Sequence, residues 1–300
     1  MEKTGSAKKG IVSSDLLEER SNVAFDQDEL RVFLSGGEEI YRKWCETVDV
    51  IGGDPVLRNS LEFNDMTVPE MQENLWERVN VMKAKYKARL IDESIFAPPL
   101  VDTVGMFQGL LPIGLHLTMF RLSVENLANE EQRAKWLPMI KDLDFIGCYA
   151  QTELGHGSNV AGLETTATLD METDEFVINT PTITATKYWP GDMGKFSSHA
   201  IVFARLIIED NDSGVMPFMV QMRDVETWKV RPGVKCGNLG PKFGYNSKDN
   251  GWSSYDHVRI PRTDMLMGLC SVSKEGELSM NGDPRVLYSV MMAIRMSIVD

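Results

Sequence analysis

The sequence predicts an α+β chain: an amino-terminal helical domain, an antiparallel β-barrel-like domain, and the start of a carboxy-terminal helical domain that is cut short. Three observations carry this reading. Apolar residues recur every three or four positions from Asp28 to about Ile146. The period then changes to two. After Asn281-Gly282-Asp283-Pro284 the helical period returns and stops at Asp300. The expected divisions are a mobile polar tail over 1–27, helices over 28–146, β structure over 147–280, and the beginning of a further helical domain over 281–300.

The clearest helix begins at Thr67-Val68-Pro69-Glu70, where Thr67 and Glu70 have capping-box spacing and proline occupies the tolerant first turn. Behind it, Met71, Leu75, Val79, Met82, Tyr86 and Leu90 form one apolar stripe. Asn129-Glu130-Glu131-Gln132 marks a second start, leading into Trp136 and Leu137 with a stop expected at Pro138. Between them, Val104 to Leu122 is nearly uncharged and reads as a buried helix preceded by the breaker pair Pro98-Pro99.

In the second stretch, Glu164 to Leu169 and Glu175 to Asn179 alternate and flank a short polar turn, the signature of a hairpin. Further strands are expected over Ile183 to Tyr188, Ala200 to Ile208, Val215 to Met222 and Trp252 to Ile260. Beyond Pro284, Val286, Val290, Ala293 and Ser297 have helical spacing. No internal repeat accompanies them.

Composition excludes several functions. A formal net charge of -13 has the wrong sign for neutralising nucleic-acid phosphates. An anionic ligand such as a nucleotide would need a locally basic groove or backbone donors. No apolar run approaches the ~20 residues of a membrane span. Cys45, Cys148, Cys236 and Cys270 are too scattered for a zinc site or disulfide framework, and the four histidines are likewise dispersed, so no metal site is expected. Gly191-Asp192-Met193-Gly194-Lys195 has two residues between its glycines where a phosphate loop needs four. Gly155-His156-Gly157 lacks the final glycine of a dinucleotide fingerprint, and Asp210 to Gly214 lacks an acidic position of a calcium loop. The last reads as a solvated turn.

One decapeptide carries more. Tyr149-Ala150-Gln151-Thr152-Glu153-Leu154-Gly155-His156-Gly157-Ser158 resembles the flavin-contacting loop of peroxisomal acyl-CoA oxidases, a family similar in fold to the acyl-CoA dehydrogenases. Gly162 to Thr168, Lys187-Tyr188-Trp189-Pro190-Gly191, Gly240 to Tyr245 and Arg259-Ile260-Pro261-Arg262 follow in the family's order, so the resemblance extends from about Asp28 to Asp300.

The resemblance implies FAD as cofactor, with Gln151 and Thr152 as the short polar groups that meet the flavin ring edge and Gly191 as the point of close backbone approach. Trp189 has two readings, a flavin contact or a core aromatic. Asp192 departs from the glycine of many relatives and would be unfavourable beside the cofactor's phosphates unless it faces away. His156 is expected to serve loop packing or to lie at the surface, in preference to acid-base catalysis. The implied reaction converts an acyl-CoA to the trans-2-enoyl-CoA and reduces O2 to hydrogen peroxide, the first step of peroxisomal β-oxidation. Its base is a glutamate that relatives carry in their carboxy-terminal helices, so the chain is expected to end before it and no catalytic residue is assigned; Glu153 and Glu164 are given structural roles. A homodimer is implied for the full-length protein. Peroxisomal residence is implied too, although Ile298-Val299-Asp300 is not a Ser-Lys-Leu address. Two other readings stay open: an acyl-CoA dehydrogenase passing electrons to a protein acceptor, and a non-catalytic relative that binds flavin or acyl-CoA.

Overall fold

Charged and apolar residues alternate at helical spacing through the first stretch, and in the computed structural model, which describes residues 13–88, 90, 108–281, 289 and 292–293, the described part of that stretch is mainly helical. Contacts divide the chain into two compact units, one ending at Val50 and one beginning at Ile51. In the first, Ser14–Ser21 forms α1, which buries no residue, inside the stretch read as a tail. Gln27–Leu34 forms α2, whose first turn is capped by the Asp26 carboxylate accepting the Asp28 and Glu29 amides at 2.8 and 3.0 Å. Glu38–Gly53 forms α3.

In the second unit, Val68–Lys87 forms α4, and the Glu70 carboxylate accepts the Thr67 amide and hydroxyl, both at 2.7 Å. Its buried face is Gln72, Leu75, Arg78, Val79 and Met82, so the expected stripe holds at its centre, while Leu90 lies beyond the helix and is exposed. The uncharged segment departs from expectation. Of its described part, Gln108 to Ile113 is not helical. The helix starts at Gly114, passes through a π-turn at His116–Phe120 and continues as α5, Arg121–Leu127. Pro98 and Pro99 fall outside the described residues.

Glu130–Lys141 forms α6, opened by the reciprocal Asn129–Gln132 cap at 2.9 and 3.1 Å. Pro138 does not stop it. Proline removes one intrahelical donor, yet buried Trp136 and Ile140 hold the helix to the core, and the Pro138 carbonyl still accepts the Asp142 amide at 2.9 Å.

Eleven strands follow among the described residues: β1 Gly147–Ala150, β2 Thr166–Asp170, β3 Glu175–Asn179, β4 Lys187–Gly191, β5 His199–Ile208, β6 Asn211–Gln221, β7 Val234–Asn238, β8 Asn250–Tyr255, β9 Val258–Pro261, β10 Cys270–Val272 and β11 Leu278–Met280. The predicted hairpin is β2–β3, in register from Thr166 opposite Asn179 to Asp170 opposite Glu175. It starts two residues later than expected because the Glu164 and Thr165 amides bond the Glu153 carboxylate instead of a ladder. Similarly, Ile183 to Thr186 turns, and the strand begins at Lys187. The single strand expected over Trp252 to Ile260 is two, β8 and β9, separated at Asp256-His257, where His257 has a φ of 52°.

The strands make a mostly antiparallel, incompletely closed arrangement of three sheets. Long β5 organises the largest. β6 pairs antiparallel along one edge, while β1 and β2 both run parallel to β5 on the other, at His199 to Val202 and Arg205 to Ile207. β4, β8 and β7 form the second sheet. The core lies on β5 and β6 and includes Phe120, Trp136, Phe145, Phe203 and Phe218. Buried His116 fastens helix to sheet: its Nε2 lies 2.9 Å from the Ile140 carbonyl, and its Nδ1 accepts the Gly147 amide at 2.9 Å, which fixes the proton on Nε2. Burial lowers its pKa to about 4, so the ring is neutral. Of the expected carboxy-terminal helix, only Ser289, Met292 and Ala293 are described, and they are helical. No helix among the described residues is long and apolar enough to cross a membrane.

Candidate functional site

The chain leaving β1 must shed its ladder partner at Gln151, and β4 passes alongside it. The Thr152 carbonyl accepts the Tyr188 amide at 3.0 Å, and Leu154 donates to the Thr186 carbonyl at 2.8 Å. These contacts bring Gln151-Thr152 against Tyr188 to Gly191. Between them and the Gly109 to Met119 segment lies a cavity of about 840 Å³, within the size range of cofactor sites. All four residues expected from the sequence, Gln151, Thr152, Trp189 and Gly191, line it. Its wall is mostly apolar with a few polar groups, and Lys242 and Lys248 are the cations among its described lining residues.

Gln151 is 4% exposed, and its carbonyl oxygen accepts the Tyr149 hydroxyl at 3.1 Å. Its Nε2 has no hydrogen-bond partner. A buried unpaired amide donor costs roughly 1–3 kcal/mol, so this group fits a polar ligand edge that would satisfy it. Trp189 is 54% exposed in the cavity wall, which rules out the core reading. Its φ is 83°, a conformation that costs a bulky residue on the order of 1–3 kcal/mol. The Asn250 side chain holds this backbone through a 2.8 Å bond to the Trp189 carbonyl, beside an irregularity in the β4–β8 pairing. At Gly191 an added Cβ would lie 2.5 Å from Leu115 Cδ1 and 2.8 Å from Lys248 Cε. Glycine thus leaves room for the ends of two flexible side chains, which a larger residue would displace.

Sequence reasoning missed two buried ion pairs behind this wall. Lys187 Nζ lies 2.9 Å from Glu153, with neither side chain exposed, and also donates to the Phe203 carbonyl at 2.6 Å. Burial pushes the lysine down to about 8, while Glu153 pulls it back up. Glu153 also accepts the Thr165 hydroxyl at 2.6 Å, so it is a structural hub. The second pair explains the unusual Asp192. This residue is wholly buried and bonds Lys248 Nζ at 2.6 Å, while its Oδ1 has no partner. Burial pushes its carboxyl up to about 6 against the opposing pull of Lys248. The departure is met in part within the chain, by the Lys248 ammonium. Signals existed, since Lys187 and Asp192 lie in recognised motifs, but nothing in one dimension pairs 187 with 153 or 192 with 248.

The sequence also gave no sign that Glu153, His156 and Glu164 converge, with one ligand atom from each inside a 4.8 Å grouping. The loop after β1 folds them together. Their oxygens are already engaged: Glu153 as described, and Glu164 Oε2 by the Thr184 hydroxyl at 2.6 Å, with Oε1 lying 3.4 Å from His156 Nε2. The two carboxylates work as a loop fastener, and His156 Nε2 lies near Glu164 without a hydrogen-bond partner.

Comparison with known proteins agrees with the fold. Residues 26–146 match the family model for the acyl-coenzyme A oxidase amino-terminal region. Peroxisomal acyl-coenzyme A oxidase 1 of Arabidopsis thaliana is 40% identical over 295 residues, covering 95% of this chain and 43% of the relative. By these matches the chain resembles the acyl-CoA oxidase family. It matches that family's amino-terminal portion. The human peroxisomal acyl-coenzyme A oxidase 1 is 37% identical over 96% of this chain and 43% of its own. Among solved acyl-CoA oxidases, the tomato enzyme is 41% identical with a TM-score of 0.85, covering 95% of this chain and 43% of that one. Acyl-CoA oxidase-2 of Caenorhabditis elegans, solved with FAD, ascaroside-CoA and ATP, has a TM-score of 0.87 at 37% identity, covering 94% and 43%. The chain therefore spans about 43% of the length of the oxidases it matches.

Proposed function

We propose that this chain supplies the flavin-facing portion of an FAD-dependent acyl-CoA oxidase, which converts an acyl-CoA to the trans-2-enoyl-CoA and O2 to hydrogen peroxide. The observation that carries the reading is the cavity of about 840 Å³ in which Gln151, Thr152, Trp189 and Gly191 converge, with the Gln151 amide unpaired. Bound FAD would accept the hydride that leaves the carbon next but one to the thioester carbonyl. Gln151 Nε2 and the Thr152 hydroxyl would orient its polar ring edge, and Trp189 would shield one side from water. The apolar wall from Leu110 to Met119 would face the acyl thioester. The base that removes the neighbouring proton is assigned to no residue of this chain. The relatives' names support a peroxisomal location, and the proposal extends to a homodimer of the full-length protein, with helical and β regions divided near residues 146 and 280.

Titrating the purified chain with FAD tests the reading. Retention of a yellow chromophore through gel filtration is expected, and its weakening in Gln151→Ala. A wild-type chain that stays colourless at saturating FAD would refute it. For the full-length protein, acyl-CoA should bleach the flavin without air, and peroxide should appear when air is admitted; bleaching with no peroxide would mark a dehydrogenase.

A further inference from the structure

We infer that Lys248 and Asp192 form an ionic strap that holds the Leu110 to Ile113 segment against the β sheets and so positions one wall of the cavity. Lys248 lines the cavity, and its Nζ joins two otherwise separate elements, donating to Asp192 at 2.6 Å and to the Leu111 carbonyl at 3.2 Å. Next to it, Ser247 Oγ accepts the Leu110 amide at 3.3 Å. The lysine stem passes over Gly191, which has no side chain to obstruct it. Asp192 anchors the far end: its backbone amide donates to the Asp249 carbonyl at 2.5 Å, and Lys248 is the only side chain bonded to its carboxylate among the described residues. Gln108 to Ile113 has no helical ladder of its own; its ends are held by the Gln108 side chain, which accepts the Ser60 amide at 2.8 Å, and by buried Ile113, and the Lys248 and Ser247 bonds fix the stretch between them.

The pair is a positioning device. Its consequence for FAD rests on the flavin reading above; the strap itself does not. Asp192→Asn combined with Lys248→Met removes both charges, keeps the volumes, and keeps a residue that tolerates the left-handed backbone at 192, where φ is 66°. The experiment measures hydrogen exchange at the Leu110 and Gly114 amides in the ligand-free chain, together with melting temperature and FAD affinity. Melting should match wild type, while exchange at these amides rises and FAD binding weakens, each about tenfold. Unchanged exchange in the double variant would overturn the strap. Faster exchange when no form of the chain, wild type included, takes up FAD would leave the strap standing and remove the flavin reading. Should the double variant fail to fold, Lys248→Met alone at about pH 5 asks the same exchange question, since its remaining carboxyl is then protonated.

Discussion

The two buried ion pairs behind the cavity differ in how completely they are satisfied. Glu153 and Lys187 are wholly buried and surrounded by additional partners, Thr165 and the Phe203 carbonyl among them. Asp192 is as deeply buried but has one carboxylate oxygen without a partner, and Lys248 reaches the cavity. A fully bonded buried network rigidifies, whereas a partly bonded one carries an uncompensated cost that needs another explanation. The first pair welds the loop after β1 to β4. The second stands where a ligand would press, and its incomplete bonding leaves it able to respond.

The sharpest way to break this contrast is to remove one partner of the satisfied pair. Glu153→Leu strands a buried ammonium and should cost ~3–5 kcal/mol in urea unfolding; a loss under about 1 kcal/mol would mean that the network is not the weld described. Next in size, Gln151→Ala should weaken FAD binding by roughly 1–3 kcal/mol with a smaller change in stability, because the lost donor is unpaired in the free chain. Equal losses in both would show that Gln151 serves the fold alone.

Acid sharpens the comparison further. Burial raises the Asp192 carboxyl from 3.8 to about 6, with Lys248 pulling it down and Asp249 pushing it up. Over that window the folded chain holds a proton the unfolded chain has released, so this group makes stability fall as pH rises from about 4 to 6, by at most about 1.4 kcal/mol per pH unit. Asp192→Asn should abolish that component when unfolding is compared across the window. Smallest is Trp189→Gly, expected to raise stability by about 1 kcal/mol through relief of the left-handed backbone while lowering flavin affinity. Destabilisation instead would show that the indole packing outweighs the strain.

The helices with capping chemistry were legible because their signals are local: Thr67 with Glu70 and Asn129 with Gln132 each span one turn. So was the β2–β3 hairpin. The strand limits near Glu164 and Ile183 were not, since long-range bonds from Glu153 and the Leu154 segment claim those backbones. Pro138 misled for a similar reason, as burial of its neighbours outweighs one missing donor. At the cavity, the expected residues could be picked out because they fall in contiguous motifs. Lys248 could not, since its function depends on meeting Asp192, 56 positions away.

Parallel seating of β1 and β2 on a shared edge of β5 makes that strand a common ruler for two distant parts. Sliding it by a single residue would turn Gln151 away from its hollow and misalign the β2–β3 hairpin in the same motion. The irregular pairing with β6 between Arg205 and Ile207 falls within the stretch of β5 that carries β2, beyond the residues that carry β1. Such an irregularity raises the local twist of the β5–β6 pair at the end that carries the hairpin.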